Sequence, residues 1–168
     1  MLQTLANLGE FLGGMAVIAG VVFAVIQIRQ YREGKHREIA LELLRSFQTP
    51  DFARALRAVY NMPEGLTKAE IEAHLRGDMD LVYALSTTWE SLGVLVFRRE
   101  LDLGLVDDFF SGPITISWNK LEPYFLGERK EQNRETIGEW FEWLAGQMRR
   151  RESTLPPIPA HIAHKDWE

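Results

Sequence analysis

The sequence has no cysteine, which excludes disulfide scaffolds, thiol nucleophiles, zinc-thiolate sites and iron-sulfur clusters together. It also lacks an excess of positive charge: 19 Lys and Arg stand against 24 Asp and Glu, a formal net charge of -5 with a pI near 5.5. Binding a polyanion needs a basic face that displaces counterions, so no nucleic-acid partner is expected. Runs of alternating β-branched residues are scarce. Only Ile114-Thr115-Ile116 looks strand-like, and it is too short to pair alone. No Gly-rich phosphate loop occurs, and Ser86, Ser91, Ser111 and Ser117 lack a nucleophile-elbow pattern, so nucleotide-binding and hydrolase readings find no support.

Histidine is sparse, with four in the chain. A di-iron bundle needs two Glu-x-x-His pairs, and Glu33 to His36 is a single such spacing. Glu70 and His74 lie one helical turn apart without a third ligand, which suits an exposed pair better than a metal site. His161 and His164 fall in a proline-rich tail. No cofactor, metal or catalytic residue is therefore assigned. The acidic pair Asp107-Asp108 and the run Arg149-Arg150-Arg151 read as charges placed to suit helix dipoles.

What is present is an uneven distribution of apolar residues. With 168 residues, 46% hydrophobic and 26% charged, the chain suits one compact domain with an appendage. From Phe11 to Ile28 no residue is charged, and about 18 residues at 1.5 Å each span roughly 27 Å, close to a bilayer's hydrocarbon core. A surface helix would show one polar side, whereas this run is apolar on every face. A cleaved signal peptide would carry basic residues ahead of the run, but these follow it as Arg29, Arg32, Lys35 and Arg37. By the positive-inside rule that flank stays inside. The expectation is a single-pass inner-membrane protein with residues 1–28 as the anchor, in contact with the lipid bilayer, and a cytoplasmic C-terminal domain. Gly9 and Gly13 are spaced as GxxxG, and Ala16, Gly20 and Ala24 continue a small-residue seam along which helices can approach closely. Glu10 shares a face with Gln3 and Asn7 and is read as interfacial or pore-facing.

The remainder reads as helices, giving an all-α fold of five to seven helices after the anchor. A juxtamembrane helix is placed within 29–48, the helical domain within 49–152 and an extended or mobile tail within 153–168. Thr49-Pro50 opens a helix to about Asn61, and Thr67 with Glu70 forms a capping box. The longest helix is expected from Asp78 to about Glu100, with Leu81, Leu85, Trp89, Leu92 and Val96 on its stripe. A short helix over Val106 to Phe110 is expected to end at Gly112-Pro113. Trp118, Leu121, Tyr124 and Phe125 form a further apolar face, and a last helix is predicted over Asn133 to Arg150. Trp89, Trp118 and Trp140 fall on apolar stripes and read as core. Trp143 sits off its stripe and marks a candidate partner surface.

The opening LGEFLGGMAVIAGVVFAVIQIRQ and the later WESLGVLVFRRELDLGLVDDFFSGPITISWNKLEPYF resemble a bacterial membrane-protein family catalogued as domain-of-unknown-function family 4760. The likeness covers most of residues 7–145. It implies one membrane helix and a cytoplasmic helical domain, and carries over no catalytic residue or ligand. Three functions remain open: a membrane-tethered interaction or assembly module that binds its own kind or another membrane or cytoplasmic protein, a homo-oligomeric channel, and an enzyme with an unrecognised site.

Overall fold

The computed structural model describes residues 13–28, 45, 47 and 49–167. The chain divides into two units, Met1–Leu44 and Arg45–Glu168. Every described element is helical and no strand occurs among the described residues, so the fold is all-α.

In the first unit, residues 13–28 are helical and exposed throughout. Among the described residues no helix is long and apolar enough to cross a membrane. The expectation of a single-pass inner-membrane protein is corrected on that finding. Gly9 and Glu10, the rest of the predicted anchor and nearly all of the predicted juxtamembrane segment lie outside the described residues.

The second unit is built from α1 (Pro50–Asn61), α2 (Lys68–His74), α3 (Met79–Phe97), α4 (Leu103–Gln132), α5 (Glu139–Thr154) and the single turn α6 (Ala160–Ala163). The first two start where local chemistry places them. Thr49 accepts a hydrogen bond from the Phe52 amide at 3.2 Å, with Pro50 in the first turn. Thr67 and Glu70 complete both halves of the capping box, which satisfies two otherwise orphaned amides. At the other end of α1, Lys120 of α4 donates to the carbonyls of Tyr60 and Met62 at 2.6 and 2.5 Å.

α3 buries Val82, Leu85, Trp89, Leu92 and Val96, a stripe at helical spacing. It lies against α1 on one side and α5 on the other. Gly93 sits at the second contact. A Cβ there would fall 2.4 Å from the carbonyl oxygen of Trp140, so the close crossing of α3 and α5 requires glycine.

The largest departure from the sequence reading is α4. It runs for 30 residues through Gly112-Pro113 and through Pro123, absorbing both the predicted short helix and the strand-like Ile114-Thr115-Ile116. A proline inside a helix costs about 3 kcal/mol. On the far side of Pro113, however, Ile114, Trp118 and Leu121 are all at most 1% exposed, and each such side chain contributes about 1.5–3 kcal/mol by leaving water. Long-range burial outweighs the local break. α4 then ends at Asn133, which adopts a left-handed conformation. The next helix, α5, therefore starts at Glu139 rather than Asn133, and it continues through Ser153 to Thr154.

The core centres on two tryptophans. Trp89 is surrounded by Phe47, Phe52, Phe110 and Phe141 at centroid distances of 5.4 to 6.4 Å. Trp118 stacks on Phe125 at 5.5 Å and meets Phe141 edge-on at 5.0 Å. α2 is fastened to α4 by charge: Lys68 lies 2.6 Å from Glu128, also pairs with Glu131, and stands 5.8 Å over the Tyr124 ring. Those carboxylates hold the Lys68 ammonium well above its ordinary pKa. Burial, and a 2.6 Å hydrogen bond between its hydroxyl and that of Tyr83, raise the pKa of Tyr124.

Candidate interaction surface

The aromatic residues are not all used in the core. Phe97, at the last turn of α3, is 57% exposed. Its ring lies 4.8 Å from Trp140 and 5.9 Å from Trp143, which are themselves 6.1 Å apart. The two tryptophans are half-buried on α5. Three large aromatic side chains thus cluster at the outer edge of the α3–α5 contact. Tryptophan is enriched where partners dock, because it offers a large rigid apolar face at small conformational cost.

Three devices fix the cluster. The first is the Gly93 crossing, which brings the Trp140 backbone against α3. The second is Glu90, one turn before Gly93. Its two carboxylate oxygens accept the amides of Trp140 and Phe141, each at 3.2 Å. α5 opens at Gly138, in a left-handed conformation and with no side chain to cap the helix, so Glu90 supplies from α3 the acceptor that α5 lacks. Burial pushes the Glu90 carboxyl above its ordinary pKa; the two amides and Arg129 oppose this, and Glu139 adds to it.

The third is Arg129, 9% exposed near the end of α4. Its Nε donates to the carbonyl of Ile137 at 2.7 Å and its Nη1 pairs with Glu142 at 2.7 Å. This ties the 133–138 connection to the first turn of α5, next to Trp143. Just past Phe97 the chain turns sharply, with Arg99 at φ 59°. Arg98 and Arg99 follow the cluster directly and form no ion pair among the described residues.

Trp143, read from the sequence as a partner-surface residue, therefore lies in an aromatic cluster. Trp140, read as core, is half-buried and belongs to the same cluster. Phe97 was not singled out: it adjoins Val96 of the core stripe, and adjacent residues point about 100° apart on a helix. Gly13, Ala16, Gly20 and Ala24 lie on the helical stretch 13–28, all exposed, and a Cβ at Gly13 or Gly20 would meet nothing within 4 Å.

Among the described residues no group of three His, Asp or Glu is arranged to hold a metal ion. Glu70 is engaged in its capping box and His74 is exposed. Asp107 pairs with Arg151 at 3.0 Å, and Arg149 bonds to Asn119, so the arginine run is partly spent on fastening α5 to α4. A cleft of about 700 Å³ lies between Asp107, Ser111 and Thr115 of α4 and residues 155–158 of the tail.

A family model described as Domain of unknown function (DUF4760) matches residues 14–148. The match spans most of the chain, and the chain belongs to that family. No curated protein matches it, and no solved structure does.

Proposed function

We propose that this DUF4760 protein is a helical interaction module whose work is contact rather than catalysis, and that Phe97, Trp140 and Trp143 form its contact face. The observation that carries the reading is the aromatic cluster itself. Two tryptophans and a phenylalanine converge on one exposed site, held by the glycine crossing, by the carboxylate of Glu90 and by Arg129. An isolated exposed aromatic needs no explanation. A converged, supported group of three has the composition of a binding hot spot. Covering such a cluster removes apolar area from water, which contributes about 25 cal/mol per Å².

The helical stretch 13–28 supports the same class of function. Val17, Ile18 and Phe23 are each more than 60% exposed, and exposed apolar surface on this scale favours burial against a partner. Its seam of Gly13, Ala16, Gly20 and Ala24 would permit a second helix to approach closely.

A photo-crosslinking amino acid placed at position 143 tests the proposal in cells. The expected result is a discrete adduct that is absent when the same probe replaces the exposed Arg76. No adduct from position 143, or equal adducts from both positions, overturns it.

A further inference from the structure

The aromatic face has a direction. Glu90 and Gly93 of α3 meet α5 at Trp140, and Phe97 meets both Trp140 and Trp143. Residue numbers rise together along this contact, so α3 and α5 run the same way and both end beyond Trp143. Two consecutive arginines, Arg98 and Arg99, close α3 there. Arg150 follows Trp143 by seven residues, two helical turns, which returns it to the same side of α5 about 10 Å further along the axis. All three arginines are exposed, and their side chains form no ion pair or hydrogen bond among the described residues. Arg149 and Arg151 differ, being engaged by Asn119 and Asp107.

Most acidic residues near this end are already engaged or face elsewhere. Asp102 accepts the Leu105 amide, and Asp107 pairs with Arg151. Glu142 pairs with Arg129. Asp108 and Glu152 line the cleft under the tail, and position 152 lies about 200° around α5 from position 150. Glu139 stands one turn before Trp143, at the opposite end of the face. That leaves Glu100 against three arginines. Arg99 points to the same conclusion by its backbone. It has φ 59°, with its amide bonded to the Val96 carbonyl and the next amide to that of Leu95, the left-handed position that glycine takes at least cost. An arginine there costs backbone stability, and its guanidinium makes no polar contact in the fold.

We infer that the Phe97, Trp140 and Trp143 face takes an acidic, apolar segment of another protein. Its apolar side chains cover the rings, and its Asp or Glu side chains pair with Arg98, Arg99 and Arg150. This rests on the proposed contact face and names the chemistry of its occupant. Arginine suits the task because its planar fork can hold a carboxylate by two hydrogen bonds. Glu139 repels the reverse orientation, so the charges also set the direction of docking. Trp140 and Trp143 are half-buried rather than protruding, which suits a packed protein contact better than insertion among lipids.

The test uses the full chain in cells, with a photo-crosslinking amino acid at position 143 and sequencing of the captured material by mass spectrometry. The expected capture is a segment of a different protein in which Asp and Glu outnumber Lys and Arg around the linked residue. Arg98→Glu combined with Arg150→Glu should lower the yield at least tenfold at an unchanged melting temperature, whereas Arg98→Lys with Arg150→Lys should retain most of it. Arg99→Gly should raise the melting temperature by relieving the left-handed backbone, and still lower the yield. Capture of a neutral or basic segment, of a lipid or of a second copy of this chain overturns the inference and leaves the contact face standing. So does a yield unmoved by the double charge reversal. No adduct from position 143 removes both.

Discussion

Trp118 and Trp143 lie on helices that pack together, yet they occupy opposite situations. Trp118 is 1% exposed, stacked on Phe125 and met edge-on by Phe141. Trp143 is half-buried at the rim, touching Phe97 and Trp140. Both are large aromatic residues at helical positions, and both make ring contacts. The difference is what lies behind the rings. Trp118 is enclosed by the core, and its loss would leave a void. Trp143 has solvent on one side, and its loss would leave only a smaller surface. One tryptophan is committed to the fold, and the other keeps part of its surface in solvent.

Substitutions can break this contrast in graded steps. Trp118→Ala should destabilise the chain by about 3–5 kcal/mol, the usual cost of an unfilled aromatic site in a core, measured by urea unfolding. Gly93→Ala comes next. Its added Cβ would meet the Trp140 carbonyl at 2.4 Å, and the backbone must separate to admit it. A loss of about 1–3 kcal/mol is expected, together with a changed near-ultraviolet dichroism signal from the displaced Trp140. A neutral Gly93→Ala would mean that the α3–α5 crossing does not hold the cluster.

Ser117 sharpens the core side of the comparison from the opposite direction. It is fully buried beside Trp118 in sequence, and its hydroxyl has no hydrogen-bond partner among the described residues. An unpaired buried hydroxyl costs on the order of 1 kcal/mol, so Ser117→Ala should raise stability by up to about 1 kcal/mol in the same unfolding measurement. A fall in stability would show that the hydroxyl is used.

The smallest expected effect belongs to Glu90, which caps α5 beneath the surface cluster. Its carboxyl is raised above the ordinary value, chiefly by burial, so the folded chain holds this proton more tightly than the unfolded chain. The stability supplied by that linkage is complete below the unfolded pKa and is lost as pH rises through the folded one. Wild-type stability should therefore fall relative to Glu90→Gln as pH rises from the ordinary carboxyl range toward neutrality. Unfolding curves of the two proteins across that range provide the check, and a constant difference contradicts the burial of Glu90.

What the sequence revealed follows the range of the interactions involved. Thr49-Pro50 and the Thr67/Glu70 box act over three residues, and both starts are where the sequence places them. Gly112-Pro113 was read as a stop by the same local logic, but α4 continues because Ile114, Trp118 and Leu121 are buried by residues far away in the chain. Asn133 was read as a helix start because the apolar spacing runs back to Ile137. The cap that fixes the real start of α5 comes from Glu90, about 50 residues earlier, and no local pattern carries that information. In the interaction surface, Trp143 was visible because it departs from its stripe. Trp140 was not, since a stripe position at the end of a helix contact can face the rim. In the first unit, hydropathy and length alone suggested a membrane crossing, which no described helix is long and apolar enough to make.

The central claim is that the Phe97, Trp140 and Trp143 cluster serves contact rather than folding. It is tested most directly by measuring, on Trp143→Ala, both the free energy of unfolding and the yield of the adduct formed by a photo-crosslinking amino acid placed at the neighbouring position 98. The predicted result is stability within about 1 kcal/mol of wild type, as for a partly exposed side chain, with the crosslink reduced at least tenfold. A stability loss as large as that of Trp118→Ala, with the crosslink unchanged, would contradict the claim.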